Sequence, residues 1–453
     1  MGGVKLTALA AGFVMASVDA TVVNVAGARI QRDIGASVTE LTWIVDGYVL
    51  TFAALLLLAG GLANRLGSLR VYMWGMGVFV LASLACAAAP NSALLIAARL
   101  AQGVGAALFM PSSLALLVHS FPDPRQRTRM LGLWSAIVAT AAGLGPTVGG
   151  ILVSAFGWPS IFLINLPIGV LGAVLTWRYV APIAPKRTAV PIAGHLLAIT
   201  ALAAICFAVI EGPEQGWIAP PVLVAYAVAL LAAGVSILRE RSAGSQVMPW
   251  MLFTRPAFAG GNLIGFLFNF ALYGSIFALG LFLQNARGAS PFESGLQLLP
   301  MTAFFPLSNI VYSRISGRVS NGLLLTAFPA LAAAATAGLV FISPGTPYWV
   351  LAVAVGVANI GAGIISPAMT AVLVDSAGVD HAASVGSILN ATRQIGSLFG
   401  IAAMGVAITM NHDWYSRASA AFTAITIAYA LAAVAAWRSV WRTNPRHPAP
   451  VSS

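Results

Sequence analysis

Thr7-Ala8-Leu9-Ala10-Ala11-Gly12-Phe13-Val14-Met15-Ala16-Ser17-Val18-Asp19-Ala20-Thr21-Val22-Val23-Asn24-Val25-Ala26-Gly27-Ala28 holds a single charged side chain, Asp19, at its middle. A helix of this length rises roughly 30 Å, which spans the hydrocarbon layer of a bilayer. The stretch therefore reads as a membrane-crossing helix with one carboxyl at its centre. No A-x-A site follows it, so it is expected to stay in place rather than be cleaved as a signal.

The rest of the chain repeats the pattern. Its 453 residues are 59% hydrophobic and only 8% charged, and the mean hydropathy is +0.91. A water-soluble domain carries about a quarter charged residues, so lipid must be the solvent of this surface. In lipid the backbone must satisfy its own hydrogen bonds, which leaves helices or a closed barrel. The apolar runs have helix length rather than strand length. They predict spans near 7–28, 42–63, 71–90, 93–118, 130–154, 159–178, 193–211, 219–238, 257–283, 294–313, 321–342, 347–374, 383–410 and 418–438. The expected fold class is an all-α polytopic membrane protein with 14 transmembrane helices.

Charge orients these spans, because loops rich in lysine and arginine stay in the cytoplasm. With the N-terminus inside, 17 of the 23 basic residues fall on the cytoplasmic side and four outside, the other two being Arg99 and Arg393 within spans. A missed helix would invert every later loop, so this asymmetry supports the count. It predicts both termini in the cytoplasm and a multi-pass protein of the bacterial inner membrane. The net charge of +11 is thereby a topology signal, and no compact basic patch points to nucleic acid. Cys86 and Cys206 lie in apolar runs and form no metal-ligand spacing. No cofactor, metal site or catalytic group is expected. There is no G-x-x-x-x-G-K-[ST] for a nucleotide pump, no G-x-S-x-G and no H-E-x-x-H. A non-transporting membrane sensor is left open.

Two breaks divide the chain. The segment 181–192, APIAPKRTAVPI, is proline-rich and basic, and 239–256 is a second interruption. The expected plan is a first six-helix bundle over 1–180, a linker and two-helix insert over 181–256, and a second six-helix bundle with a short tail over 257–453. Gly61–Gly67 (GLANRLG) and Arg314–Gly322 (RISGRVSNG) fall at corresponding places in the two sixes, as in transporters built from repeats.

Polar groups inside spans mark candidate chemistry, since a carboxylate at mid-bilayer costs roughly 2.5–3.5 kcal/mol. Asp19 is either a proton carrier, or counter-ion for a cationic substrate, or a hydrogen-bond acceptor between packed helices. Burial disfavours the charged form of a carboxyl, which suits proton uptake. Arg99 must be satisfied in the interior, and Gln102 shares its helix face. Asp46, beside Trp43 and Tyr48, is a second proton-coupling candidate or, the favoured reading, a solvated residue in an aromatic interfacial belt. Glu211 and Glu214 are expected to be solvated. Gly143, Gly145, Pro146, Gly149 and Gly150 combine a helix bend with close approach, either for conformational change or for ordinary packing. Asn24, Gln102, Asn262, Asn269, Asn359, Asn390 and Arg393 are candidates for the lining of a substrate cavity, or packing glue.

Together these motifs resemble the major facilitator superfamily, in particular its fourteen-helix drug:proton antiporter family. Asp19–Ala26 resembles the family's helix 1 signature, and Trp43–Tyr48 (WIVDGY) its helix 2 opening. Gly60–Gly67 (GGLANRLG) resembles the superfamily loop motif G-x-L-A-D-R-x-G. Arg99, Gln102, Gly103 and Gly105 match R-x-x-Q-G-x-G. Gly143–Gly150 (GLGPTVGG) matches the antiporter motif, and Phe162–Gly169 and Arg393–Gly400 are also typical. The resemblance implies a major facilitator fold, two six-helix bundles plus the insert, and a monomer that exports small amphipathic organic molecules in exchange for protons. A proton-coupled transporter of a native metabolite is the alternative. Gly60, Asn64, Arg65 and Gly67 would form the cytoplasmic loop gate. Here Asn64 stands in place of the motif's aspartate, so the charge of that gating contact is missing.

Overall fold

The computed structural model describes residues 2–185, 192–243, 250–316, 318–377, 382–409 and 413–442. Lys186, Arg187, Arg446, part of each expected break and the tail lie outside them. Every regular element among the described residues is helical.

The helices begin and end where the sequence supplies caps. Helix α1 runs Gly2–Ile34 and α2 Val38–Leu66. At the start of α2, Ser37 accepts from the Glu40 N–H at 3.1 Å and the Ser37 N–H donates to the Glu40 carboxylate at 2.8 Å. This reciprocal capping satisfies two N–H groups that the helix start leaves over. Gly67 ends α2 at φ 96°, a conformation that suits glycine, and α3 (Ser68–Ala87) starts at once. Asn91 caps α4 (Ser92–Ser120), and Asp123 caps α5 (Pro124–Phe156). Short α6 (Ser160–Leu163) leads into α7 (Asn165–Tyr179).

Next come α8 (Ile192–Gln215) and α9 (Pro220–Ala243), which pack on each other, with α8 also against α2. Their contact is apolar: Ala208, Val222 and Ala225, with Phe207, Ala219 and Tyr226 around them. Leu223, Val224, Leu230, Leu231 and Leu238 of α9 are exposed, as a lipid-facing helix requires. These two spans are the least buried in the molecule's described part.

After α10 (Trp250–Phe253), α11 (Pro256–Asn285) is the most buried span. The stretch expected to cross over 294–313 is divided into α12 (Pro291–Gln297), α13 (Leu299–Thr302) and α14 (Phe304–Ile315). Pro300 and Pro306 fall in that stretch, and each lacks the N–H that would continue the ladder. Then follow α15 (Asn321–Ala337), α16 (Tyr348–Ile360), α17 (Ala362–Ala377), α18 (Ala382–Thr409) and α19 (Trp414–Ala436).

Among the described residues, twelve helices are long and apolar enough to cross a membrane. The two expected spans outside that set are 294–313 and 130–154. The latter lies within α5, of which Thr140–Phe156 is an apolar helix among the described residues.

The helices form two compact units. The first comprises Met1–Val247 with Leu283–Leu296, and the second Met248–Phe282 with Gln297–Ser453.

Candidate functional site

In the first unit, four helices each bring a polar side chain to one point. Asp19 of α1 forms a buried ion pair with Arg99 of α4, through Oδ2 and Nη1. Its other oxygen accepts from Gln102 Nε2 at 2.9 Å and from Asn165 Nδ2, on α7, at 3.2 Å. Arg99 and Gln102 lie three apart on α4, so they share a face, and Arg99 Nη1 also donates to Gln102 Oε1 at 2.6 Å. Arg99 Nε donates to the Ile44 carbonyl at 2.9 Å. Its guanidinium carbon lies 4.5 Å from the centre of the Tyr48 ring and 5.8 Å from that of Phe162. Ser83 of α3 closes the cluster. It accepts from Gln102 at 2.9 Å and Asn165 at 3.4 Å, and donates to the Phe79 carbonyl at 2.8 Å. Cys86 reaches Gln102 Oε1 at 3.8 Å.

All of these side chains are buried. An unpaired charge in such a place would cost several kcal/mol, so the network is what allows two charges to sit among apolar helices. Every partner of Asp19 is a donor, the arrangement an ionised carboxylate takes. A proton on Asp19 would turn an acceptor into a donor and remove the charge opposite Arg99.

The glycine-rich motif of α5 adjoins this cluster. A Cβ on Gly145 would collide with Thr21 Oγ1, and one on Gly149 with Val22, whose carbonyl and Cα lie 3.2 and 3.3 Å from it. Thr21 and Val22 follow Asp19 within a turn, so α5 meets α1 at the level of the carboxylate. The next positions round the helix meet the segment 283–296. A Cβ on Gly150 would fall 2.5 Å from the Pro291 carbonyl, and one on Gly295 2.6 Å from the Pro146 carbonyl. Thr147 also donates to the Gly295 carbonyl at 3.3 Å. Glu293 caps the start of α12, and donation from the Ser290 N–H, then its hydroxyl, holds its carboxyl below the usual range. Gly143 is partly buried on α5.

Asp46 is not solvated. It is wholly buried, and neither carboxylate oxygen has a hydrogen-bond partner among the described residues. Helix α8 packs over this part of α2 and places Cys206 within electrostatic reach of the Asp46 carboxyl. The expectation of a wet interfacial residue fails because the insert covers that face of α2. Glu211 is likewise drawn in: the Trp43 indole donates to it at 2.7 Å, and the Trp43 and Phe207 rings lie 6.2 Å apart. Glu214 is exposed as expected.

Gly60 faces open space, and Asn64 and Arg65 are exposed at the end of α2. Gly67 lies close to the Ile183 carbonyl, 3.5 Å from where a Cβ would stand.

The candidate cavity asparagines turn mostly onto their own helices. Asn262, Asn269 and Asn359 each donate to the carbonyl four residues back, at 3.0, 2.9 and 2.8 Å. Asn24 donates to the Ala20 and Thr21 carbonyls at 3.3 Å. Asn262 also accepts from Thr392 at 3.3 Å, joining α11 to α18. Asn24 and Asn359 keep a buried carbonyl oxygen with no partner among the described residues. Asn390 and Arg393 are partly exposed on α18.

Sequence reading did not single out Ser83 and Asn165 as members of the cluster. The signal for Asn165 was present, a lone amide in the apolar run of Phe162–Gly169. Ser83 had none, since serine is common in membrane helices.

The chain was compared with known proteins. It is 65% identical over 444 residues to a methylenomycin A resistance protein of Streptomyces coelicolor, covering 98% of this chain and 94% of that one. Identity to a methylenomycin A resistance protein of Bacillus subtilis is 48% over 435 residues, covering 95% and 93%. To the multidrug resistance protein Stp of Mycobacterium tuberculosis it is 34% over 401 residues, covering 88% and 74%. The fold matches the crystal structure of the POT family transporter PepTSo with a TM-score of 0.70 at 13% identity, covering 97% and 99%. The profile of the Major Facilitator Superfamily matches residues 9–401. With helices of membrane-crossing length, a polar centre in the first unit and this match, the chain is a multi-pass membrane transporter of the Major Facilitator Superfamily.

Proposed function

We propose that the protein exports small amphipathic, antibiotic-like molecules in exchange for protons, with methylenomycin A as the first substrate to test. The observation that carries this reading is the buried Asp19 carboxylate, held by Arg99, Gln102 and Asn165. Protonating Asp19 removes the charge opposite Arg99 and turns one of its two acceptor oxygens into a donor, which weakens the links among α1, α4 and α7. Proton occupancy is thereby tied to how these helices pack, which is what a proton-driven cycle needs. The contact of Gly145 and Gly149 with α1 next to Asp19 supplies the path from the carboxyl to α5. Names of the relatives supply the substrate class. Asp46 serves as a second protonatable site, and Asn24, Gln102, Asn262, Asn269, Asn359, Asn390 and Arg393 contribute polar positions to the pathway.

In this reading the chain crosses the bacterial inner membrane fourteen times, with both termini in the cytoplasm, and acts as a monomer. Residues 1–180 and 257–453 are the two bundles, and 181–256 is the linker and lateral insert. The loop of Gly60, Asn64, Arg65 and Gly67 closes the cytoplasmic side.

The test is expression in an efflux-deficient bacterial host, followed by flux measurements in everted vesicles. Raised resistance to methylenomycin A and uptake driven by an imposed ΔpH support the reading. Flux that ignores ΔpH refutes antiport. Flux of a host metabolite without any antibiotic transport transfers the reading to the metabolite alternative.

A further inference from the structure

We propose that Arg393 is a binding site for the anionic group, a carboxylate above all, of an amphipathic substrate; this deepens the export reading and rests on it. Arg393 lies eleven residues into α18, within the apolar body of that helix. Its aliphatic stem packs over Gly265 of α11, where a Cβ would stand 3.5 Å from Arg393 Cγ. Its charge lies within electrostatic reach of Tyr273, also on α11.

Among the described residues the guanidinium has no counter-ion. Arg393 forms no ion pair and no side-chain hydrogen bond among the described residues. The described carboxylates of the second unit, Asp375 and Asp413, are exposed and stand at helix ends. Asp380, outside the described residues, precedes α18, and roughly 16 Å of helix separates the helix start from Arg393. The guanidinium nitrogens are not among the buried unpartnered atoms, and the residue keeps some exposed surface. The Arg393 stem packs against α11, the most buried span, and we infer that the remaining surface opens to a recess beside that helix and not to lipid. A cation left facing hydrocarbon would be costly, whereas one facing a wet recess is available to a ligand.

The surroundings define the rest of the ligand. Phe266, Phe270 and Tyr273 of α11 follow one helix face, and Phe399 of α18 lies 6.0 Å from Phe266, ring centre to ring centre. All four are partly exposed. Five N–H donors in a planar fork beside an aromatic surface suit a carboxylate carried on a small apolar body. A neutral ligand would leave the fork unused.

The site is tested with purified protein and three pairs of probes: benzoate, 1-naphthoate and indole-3-acetate, each beside its methyl ester. Equilibrium dialysis at neutral pH reads affinity without any flux. The acids are expected to bind at least about tenfold more tightly than their esters, the scale of one charge-assisted hydrogen bond. Arg393→Gln should abolish that advantage by weakening acid binding far more than ester binding, and Arg393→Lys should keep part of it. Equal binding of acid and ester by the unaltered protein overturns the proposal, whatever the variants do. So does an acid preference that survives Arg393→Gln. Flux of methylenomycin A is measured in parallel. Its absence, together with a retained acid preference, refutes the substrate named above and leaves the anion site standing.

Discussion

Arg99 and Arg393 are both arginines inside apolar helices, and the two units hold them in opposite ways. Around Arg99 the donors and acceptors are matched. A carboxylate, an amide, a backbone carbonyl and an aromatic face surround the guanidinium, and nothing accessible is left. Around Arg393 there is an aromatic wall and a glycine, with no ion-pair or side-chain hydrogen-bond partner among the described residues. The neutral, saturated centre is suited to a proton, which changes it from inside. The unsaturated centre is suited to a molecule that arrives with its own charge. In the proposed exchange of substrate for protons, the two tasks are separated by how completely each arginine is paired.

The contrast breaks most easily at Asp19. Asp19→Asn leaves Arg99 buried and uncompensated, and is expected to cost about 3–5 kcal/mol and to end ΔpH-driven export. Adding Arg99→Gln should restore most of the stability but none of the transport. Thermal unfolding in detergent and vesicle flux read the two effects. A single variant as stable as the parent means that the pair does not hold the bundle together.

Gly149→Leu comes next. The new side chain must enter the space of Val22, at roughly 1–3 kcal/mol. Export is expected to vanish while membrane levels persist, as an immunoblot of the membrane fraction would show. Normal flux means that α5 and α1 do not need their present approach.

Asp46 sharpens the comparison, since it is a buried carboxyl with no partner to lose. Asp46→Asn should change stability by less than about 1 kcal/mol, and should reduce export less than Asp19→Asn does. A larger loss would move the coupling site to the face covered by the insert.

The smallest effect is expected at the exposed loop. Asn64→Asp adds a charge in the last turn of α2, worth at most about 1 kcal/mol and screened by salt. Hydrogen–deuterium exchange over residues 60–70 should change modestly at low salt and not at high salt.

The helical class was legible in the long apolar runs, and the interior place of Asp19 and Arg99 was legible because an ionised side chain in an apolar run stands out. Burial of Asp46 was not legible. Its neighbours Trp43 and Tyr48 look the same whether they border water or face α8, and only packing decides. Ser83 was hidden, and the lone amide of Asn165 was passed over, for a related reason: a serine or an asparagine in a membrane helix usually satisfies itself on the preceding turn, as Asn269 and Asn359 do. The broken path over 291–315 was foreshadowed by its prolines, yet hydropathy alone makes that stretch one span.

The two cysteines divide along the same line. Cys86 touches the Asp19 cluster through Gln102, whereas Cys206 is shut between the insert and α2. Both are sealed from solvent. A thiol-alkylating reagent should therefore react slowly with the resting protein, and any residue engineered to cysteine on the surface will be read against a silent background. If turnover opens the cluster, alkylation of Cys86 will accelerate with the proton gradient while Cys206 keeps its resting rate. The unaltered chain thus carries its own clock for the opening of its first bundle, and beside it a control that does not tick.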